Sequence, residues 1–191
     1  MRAKGGGEMK DPIGVVHGRF QLLHNDHVRY IMAGMERCEH LVIGICNPDV
    51  SATRFSEADP NRSSREANPF SYYERYRMIR GTLADMGIDL ARFDIVPFPI
   101  NVPEMIFNYV PADAKCYLTI YDGWGEEKKR TFERLGCEIE ILRQVGIEEK
   151  GISGTDVRRR IARGEEWESL VPRYVYEYVV GEGLDGRIRG M

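Results

Sequence analysis

Apolar residues along the chain fall into short runs separated by segments in which they recur every three or four positions, and this alternation predicts the architecture. Ile13 to Val16 and Leu41 to Cys46 read as buried strands. Phe93 to Phe98 and Lys115 to Tyr121 read as a third and a fourth, and Glu138 to Leu142, alternating polar and apolar, as a fifth at an edge. Val28, Ile31 and Met35 mark one face of a first helix. A second helix opens on a Ser71-x-x-Glu74 capping box, carries Tyr76, Ile79, Leu83 and Met86 at helical spacing, and stops at Gly87. Pro103 opens a short helix, Glu126 to Leu135 is acidic first and basic later and ends at Gly136, and Ser153 with Asp156 makes another capping box. Strands alternating with helices imply a parallel sheet with right-handed crossovers. Pro172 starts a closing helical region in which Val171, Val175, Tyr178 and Val179 pack.

Composition narrows the class without naming a function. A chain of 191 residues is long enough to bury a core without staples, so one domain over residues 11–191 is expected behind a loose tail at 1–10 containing Gly5-Gly6-Gly7. A net charge of −3 argues against general nucleic-acid binding, which wants a basic face. No apolar run reaches the length of a membrane span, and no apolar stretch at the start forms a signal peptide. Cys38, Cys46, Cys116 and Cys137 are widely spaced, with no CxxC pair, and read as buried thiols of a cytoplasmic protein.

The chemistry concentrates in two turns. The first joins the opening strand to the first helix and carries Gly18, Arg19, Phe20, Gln21, His24, Asp26 and His27. With Asn25 or Asp26 as N-cap, unpaired backbone N–H groups and the positive end of the helix dipole fall beside the two histidines, a place for phosphate oxygens. Two imidazoles and a guanidinium there suit a reaction that builds charge on a phosphoryl group, although a histidine pair in a turn is often incidental. The second turn, Ile152-Ser153-Gly154-Thr155, leads into a helix with Arg158 one turn in. Hydroxyls, backbone N–H groups and an arginine on one helix tip are what a triphosphate needs. Arg159, Arg160 and Arg163 point elsewhere around that helix and read as surface or interface residues. The polar stretch Val50 to Asn68, with Arg54, Arg62 and Arg65, either closes over an anionic substrate or is a solvated loop. Asp122 and Trp124 follow the fourth strand, where open parallel sheets bind ligands, and Trp124 is there either to stack on a ring or to pack.

Taken together, Gly-Arg-Phe-Gln-x-x-His-x-x-His after the first strand and Ile-Ser-Gly-Thr-x-x-Arg before a late helix resemble the nucleotidyltransferase superfamily with HxGH and ISSTxxR motifs. Within it the chain looks most like archaeal-type nicotinamide-nucleotide adenylyltransferases, through most of Ile13 to Arg189, including Asn68-Pro69-Phe70-Ser71-x-x-Glu74-Arg75 and Gly164-Glu165-Glu166-Trp167-x-x-Leu170-Val171-Pro172. The resemblance implies a Rossmann-like α/β fold: an open parallel five-stranded sheet, helices on both faces and small C-terminal helices. It also implies Mg²⁺, ATP as substrate, and attack by a mononucleotide phosphate on the α-phosphorus with pyrophosphate leaving. CTP, or another phosphorylated small molecule as acceptor, is the alternative, and a nucleotide-binding module without catalysis the remote one.

By position, His24 and His27 would serve the α- and β-phosphate region, Arg19 the same cradle, and Ser153, Thr155 and Arg158 the β- and γ-phosphates. Acceptor contacts are expected among Asn47, Arg54, Arg65, Phe107, Asp122 and Trp124, with no metal ligand identified. The sequence departs from the pattern at Asp26, where the motif has Gly, at Leu22, where relatives carry Pro, and in the long insertion after Asn47-Pro48-Asp49. Oligomeric state stays open, with a homo-oligomer among the expectations.

Overall fold

The computed structural model describes residues 9–49, 64, 66–121, 123–146 and 151–191, apart from the side chain of Trp124. Most of the expected tail and of the Val50 to Asn68 loop, Arg54 and Arg65 included, lies outside the described residues, as does Asp122.

Five strands form one parallel sheet: β1 (Asp11–Gly18), β2 (Cys38–Cys46), β3 (Phe93–Phe98), β4 (Lys115–Ile120) and β5 (Ile139–Gln144), in the order β3-β2-β1-β4-β5. β1 and β2 begin earlier than their apolar runs because polar residues join the ladder, as where Asp11 pairs with Cys38. The same Asp11 carboxylate accepts the Tyr117 hydroxyl at 2.6 Å, across to β4.

Side-chain alternation gives each strand two buried faces. Val15, Val42 and Cys116 pack on one side with Phe132 of helix α3 (Gly123–Arg134) and with Ile106 of the 3₁₀ segment Pro103–Asn108. Val16, Ile43 and Tyr117 pack on the other with α1 (Asn25–Arg37), α2 (Tyr72–Asp85), α4 (Gly154–Arg163), α5 (Arg173–Gly181) and α6 (Leu184–Arg189). The α/β sheet with helices on both faces thus stands as expected, and α6 is an element that the periodicity did not reveal. α3 begins three residues before Glu126 and draws Trp124 into its first turn rather than leaving it in the preceding loop.

What positions the site is the seam between β1 and β4, where the strand order reverses. Only Gly14 with Lys115 and Val15 with Cys116 are paired across it. Beyond them Tyr30 of α1 bridges the two strands: its hydroxyl accepts from the His17 N–H at 3.5 Å and donates to the Tyr117 carbonyl at 2.6 Å. A crevice outside the carboxyl ends of strands at such a reversal is where open α/β sheets take ligands.

Candidate active site

At that seam lies a cleft of about 260 Å³. Its lining brings together residues 137 positions apart: Gly18, Arg19, Phe20, Gln21, His24, Asp26 and His27 from the first turn, and Ile152, Ser153, Gly154, Thr155 and Arg158 from the second. All twelve expected catalytic and nucleotide-binding residues therefore meet in one place.

The first turn is held from behind. Phe20 takes a left-handed backbone (φ 51°) that sinks its ring completely and sets it edge-on to His27, with ring centroids 5.0 Å apart. Gln21 does not reach for a nucleotide: its amide Nε2 donates to the Phe70 carbonyl and its Oε1 accepts the Phe70 N–H, both at 2.9 Å. Arg75, fully buried, gives its guanidinium to the carbonyls of Arg19, Cys46, Asn47 and Ser71. It thereby joins the carboxyl ends of β1 and β2, and burial pushes its pKa down to about 10. Nothing in the sequence periodicity separates Arg75 from a solvent-facing arginine of α2, because its partners are all backbone carbonyls.

The N-cap of α1 is His24, not Asn25 or Asp26, and no side chain caps the helix. Asn25 instead donates to the Ser169 carbonyl at 3.0 Å, and the Asp26 carboxylate accepts the Ile152 N–H at 2.6 Å while pairing with Arg29. Both side chains are drawn to later parts of the chain, so neither caps the α1 tip. The His24 and His27 rings stack above that tip at a centroid distance of 3.6 Å.

The second turn fits against the first with little clearance. A Cβ on Gly151 would lie 2.2 Å from the Asp26 carboxylate, and one on Gly154 would lie 2.8 Å from the Gln21 carbonyl oxygen. Glycine at 154, where the motif carries Ser, lets α4 start directly on the backbone of the first turn. Arg158 donates to that same Gln21 carbonyl and, at 3.2 Å, to the Thr155 hydroxyl. Burial and the neighbouring Arg19 push its guanidinium down to about 10, so it stays charged at neutral pH. Ser153 is the N-cap of α4 as expected, accepting the Asp156 N–H at 3.1 Å. The box is not reciprocal, because the Asp156 carboxylate takes the Ser153 hydroxyl at 2.5 Å instead of a backbone amide.

Six lining residues were not singled out as site residues: His17, Tyr30, Thr119, Tyr121, Lys128 and Gly151. Only His17 carried a signal, a histidine at the tip of a buried strand directly before Gly18. It is 6% exposed, stacks on Phe98 at 4.7 Å and meets Phe132 edge-on at 5.1 Å. Burial, with Lys128 adding to it, holds its pKa well below the usual histidine range.

Of the expected acceptor residues, the two whose side chains are described, Asn47 and Phe107, do not join this lining. Asn47, at φ 49°, directly follows β2 and accepts from Asn101 at 3.0 Å, while Phe107 is 37% exposed beyond β3. Arg54, Arg65, Asp122 and the Trp124 side chain lie outside the described residues. Among the described residues no three His, Cys, Asp or Glu side chains cluster as metal ligands, and Asp26, the carboxylate in the lining, is already taken by Ile152 and Arg29. The described residues thus offer no protein cage for the expected Mg²⁺, an ion that commonly binds through substrate phosphates and water. No helix among the described residues is long and apolar enough to cross a membrane.

Comparison with known proteins gives the family. The chain is 47% identical over 92% of its length to a phosphonoformate cytidylyltransferase of Streptomyces viridochromogenes, covering 95% of that protein. It is 30% identical, again over 92% of its length, to a nicotinamide-nucleotide adenylyltransferase of Saccharolobus solfataricus, covering 94% of it. A bifunctional NMN adenylyltransferase/ADP ribose pyrophosphatase of Francisella tularensis superposes over 95% of the chain with a TM-score of 0.61 at 17% identity; the chain spans only 52% of that protein. A putative nicotinate-nucleotide adenylyltransferase of Vibrio parahaemolyticus gives 0.57 at 16% identity, over 93% of this chain and 96% of the other. The family description for cytidylyltransferase-like proteins matches residues 15–160, which contain both turns. With one parallel sheet, both motif turns in a single cleft and relatives that are nucleotidyltransferases, the chain belongs to the cytidylyltransferase-like family and is a nucleotidyltransferase.

Proposed function

We propose that the cleft transfers CMP from CTP to a small acceptor bearing a phosphonate or phosphate, of which phosphonoformate is the type, with release of pyrophosphate. The observation that carries this reading is the 47% identity, over nearly the whole of both chains, to a phosphonoformate cytidylyltransferase. In the reaction an ionised acceptor oxygen forms a bond to the α-phosphorus of the triphosphate. The bond from that phosphorus to its bridging oxygen breaks, and the electron pair leaves with pyrophosphate. An ionised phosphonate is already a nucleophile at neutral pH, so the protein's part is positioning and electrostatic stabilisation.

The residues have parts that fit this chemistry. His24 and His27, stacked at the α1 tip, face the α-phosphate, where charge grows as the bonds exchange. Arg158 and Arg19 supply positive charge for the leaving pyrophosphate. The Ser153 hydroxyl is engaged twice with Asp156, so triphosphate contacts at the second turn fall to its backbone N–H groups and to Thr155. A magnesium ion bound with the triphosphate would neutralise part of its charge.

The second reading is the one the motifs first suggested, ATP with a nicotinamide or nicotinate mononucleotide, and the 30% identity to an archaeal adenylyltransferase favours it. Pyrophosphate release from CTP and ATP, each offered phosphonoformate, nicotinamide mononucleotide and nicotinate mononucleotide, separates the two. Release with CTP and phosphonoformate above every other pair is expected. Preference for ATP with a mononucleotide would overturn the proposal.

A further inference from the structure

The proposed reaction gives no use to His17, a buried polar residue of the cleft lining. The His17 ring nitrogen Nε2 is buried and has no hydrogen-bond partner among the described residues, and the residue lines the cleft. Buried polar atoms in folded proteins are nearly always satisfied, and one that is not, at the wall of a binding cleft, is a group awaiting a ligand. His17 shares the sheet face of Val15, under α3, where Phe98 and Phe132 fix its ring on two sides. Lys128, one helical turn before Phe132 on α3, lines the cleft above it and acts electrostatically on the imidazole.

The side of the sheet matters. α1 and α4, which carry His24, His27 and Arg158, pack on the opposite face. Attacking and leaving oxygens lie roughly in line in phosphoryl transfer. With pyrophosphate leaving along the α4 side, the acceptor oxygen enters from the α3 side, where His17 and Lys128 line the cleft.

We infer that His17 and Lys128 form the subsite that binds the acceptor's anionic group and orients its attacking oxygen toward the α-phosphorus. The inference rests on the proposed nucleotidyl transfer to a small anion. Lys128 supplies charge and His17 a directed hydrogen bond from a ring already immobilised between two phenylalanines, so little freedom is lost when the acceptor arrives. Here the two residues are specificity-determining: they distinguish a compact anion from water or from an uncharged acceptor.

The test uses the full chain with CTP and phosphonoformate, alongside His17→Phe, which keeps a flat ring and removes the nitrogen, His17→Gln, which restores a polar terminus, and Lys128→Met. His17→Phe and Lys128→Met are expected to raise the acceptor KM about tenfold or more, the effect of losing one hydrogen bond to a charged group, with the CTP KM held within about twofold. His17→Gln should recover part of the loss, and thermal melting shows whether each variant folds. A rise in the CTP KM with the acceptor KM unchanged would overturn the inference, as would no change in either variant. If the unmodified protein does not release pyrophosphate with this pair, the cytidylyl reading has failed, and the same KM split is measured with whichever pair of the substrate panel it turns over.

Discussion

Asp26 shows how a single residue departs from a motif and what takes its place. A carboxylate where the pattern has Gly would repel phosphate if it faced the nucleotide, but it is bound to the Ile152 N–H and to Arg29. It is a strut between the two turns, and Gly151 supplies the room for it. Asp26→Ala should loosen the second turn, raising the triphosphate KM several-fold and lowering stability by about 1 kcal/mol, with Asp26→Asn recovering much of both; steady-state kinetics and chemical denaturation measure them. His27→Ala belongs to a different class. Loss of one group that stabilises transition-state charge costs about 10²- to 10³-fold in kcat, and folding, followed by circular dichroism, should be untouched. The residues of the cleft were legible because their types and spacing are tied to phosphate chemistry. The strut was not, since its partner is a backbone N–H 126 positions away.

At the scale of elements, periodicity located the strands and main helices because burial on both faces of a parallel sheet imposes it. Local signals failed where a side chain had a better partner at long range. Asn25 is a good N-cap by type, yet it is drawn to Ser169, and His24 takes the capping position with only its backbone. α4 keeps its expected cap, and Ser153→Ala should cost about 1 kcal/mol of stability and weaken triphosphate binding, because the amides that the cap orders are those proposed to meet phosphate. Tyr30 is the other element-level device. Its hydroxyl spans β1 and β4 beyond their last paired residues, so Tyr30→Phe should cost about 1 kcal/mol in chemical denaturation. A tyrosine in an amphipathic helix gives no hint of that bridge in sequence.

The whole molecule is closed by its C-terminal helices, and charged contacts tie them to α2: Arg173 of α5 to Asp85 at 3.6 Å, and Arg187 of α6 to Glu74. Arg187 of α6 holds both oxygens of Glu74, at 2.8 and 2.9 Å, and also the Pro69 carbonyl. Burial alone would raise the Glu74 pKa, but hydrogen bonds from Arg187 and the Ser71 N–H outweigh it and hold the carboxyl below its ordinary value. A depressed carboxylate pKa contributes stability that is fully present above the ordinary carboxylate range and is lost as the pH falls through the lowered value. Urea titrations should therefore show Arg187→Ala destabilised by about 1 kcal/mol at neutral pH, with the gap closing in acid. The contact spans 113 positions, so it is visible only in the fold. The parallel five-stranded sheet, by contrast, was legible in the alternating pattern and the resemblance; its strand order, which places the two turns in one cleft, is visible only in the fold. The proposal that this cleft joins CMP to a phosphonate is tested most directly by phosphorus NMR of the full chain with CTP and phosphonoformate. It predicts a coupled pair of resonances from a new phosphonate–phosphate anhydride, growing in step with pyrophosphate. Formation of a dinucleotide from ATP and a mononucleotide, with no such pair from CTP and phosphonoformate, would contradict it.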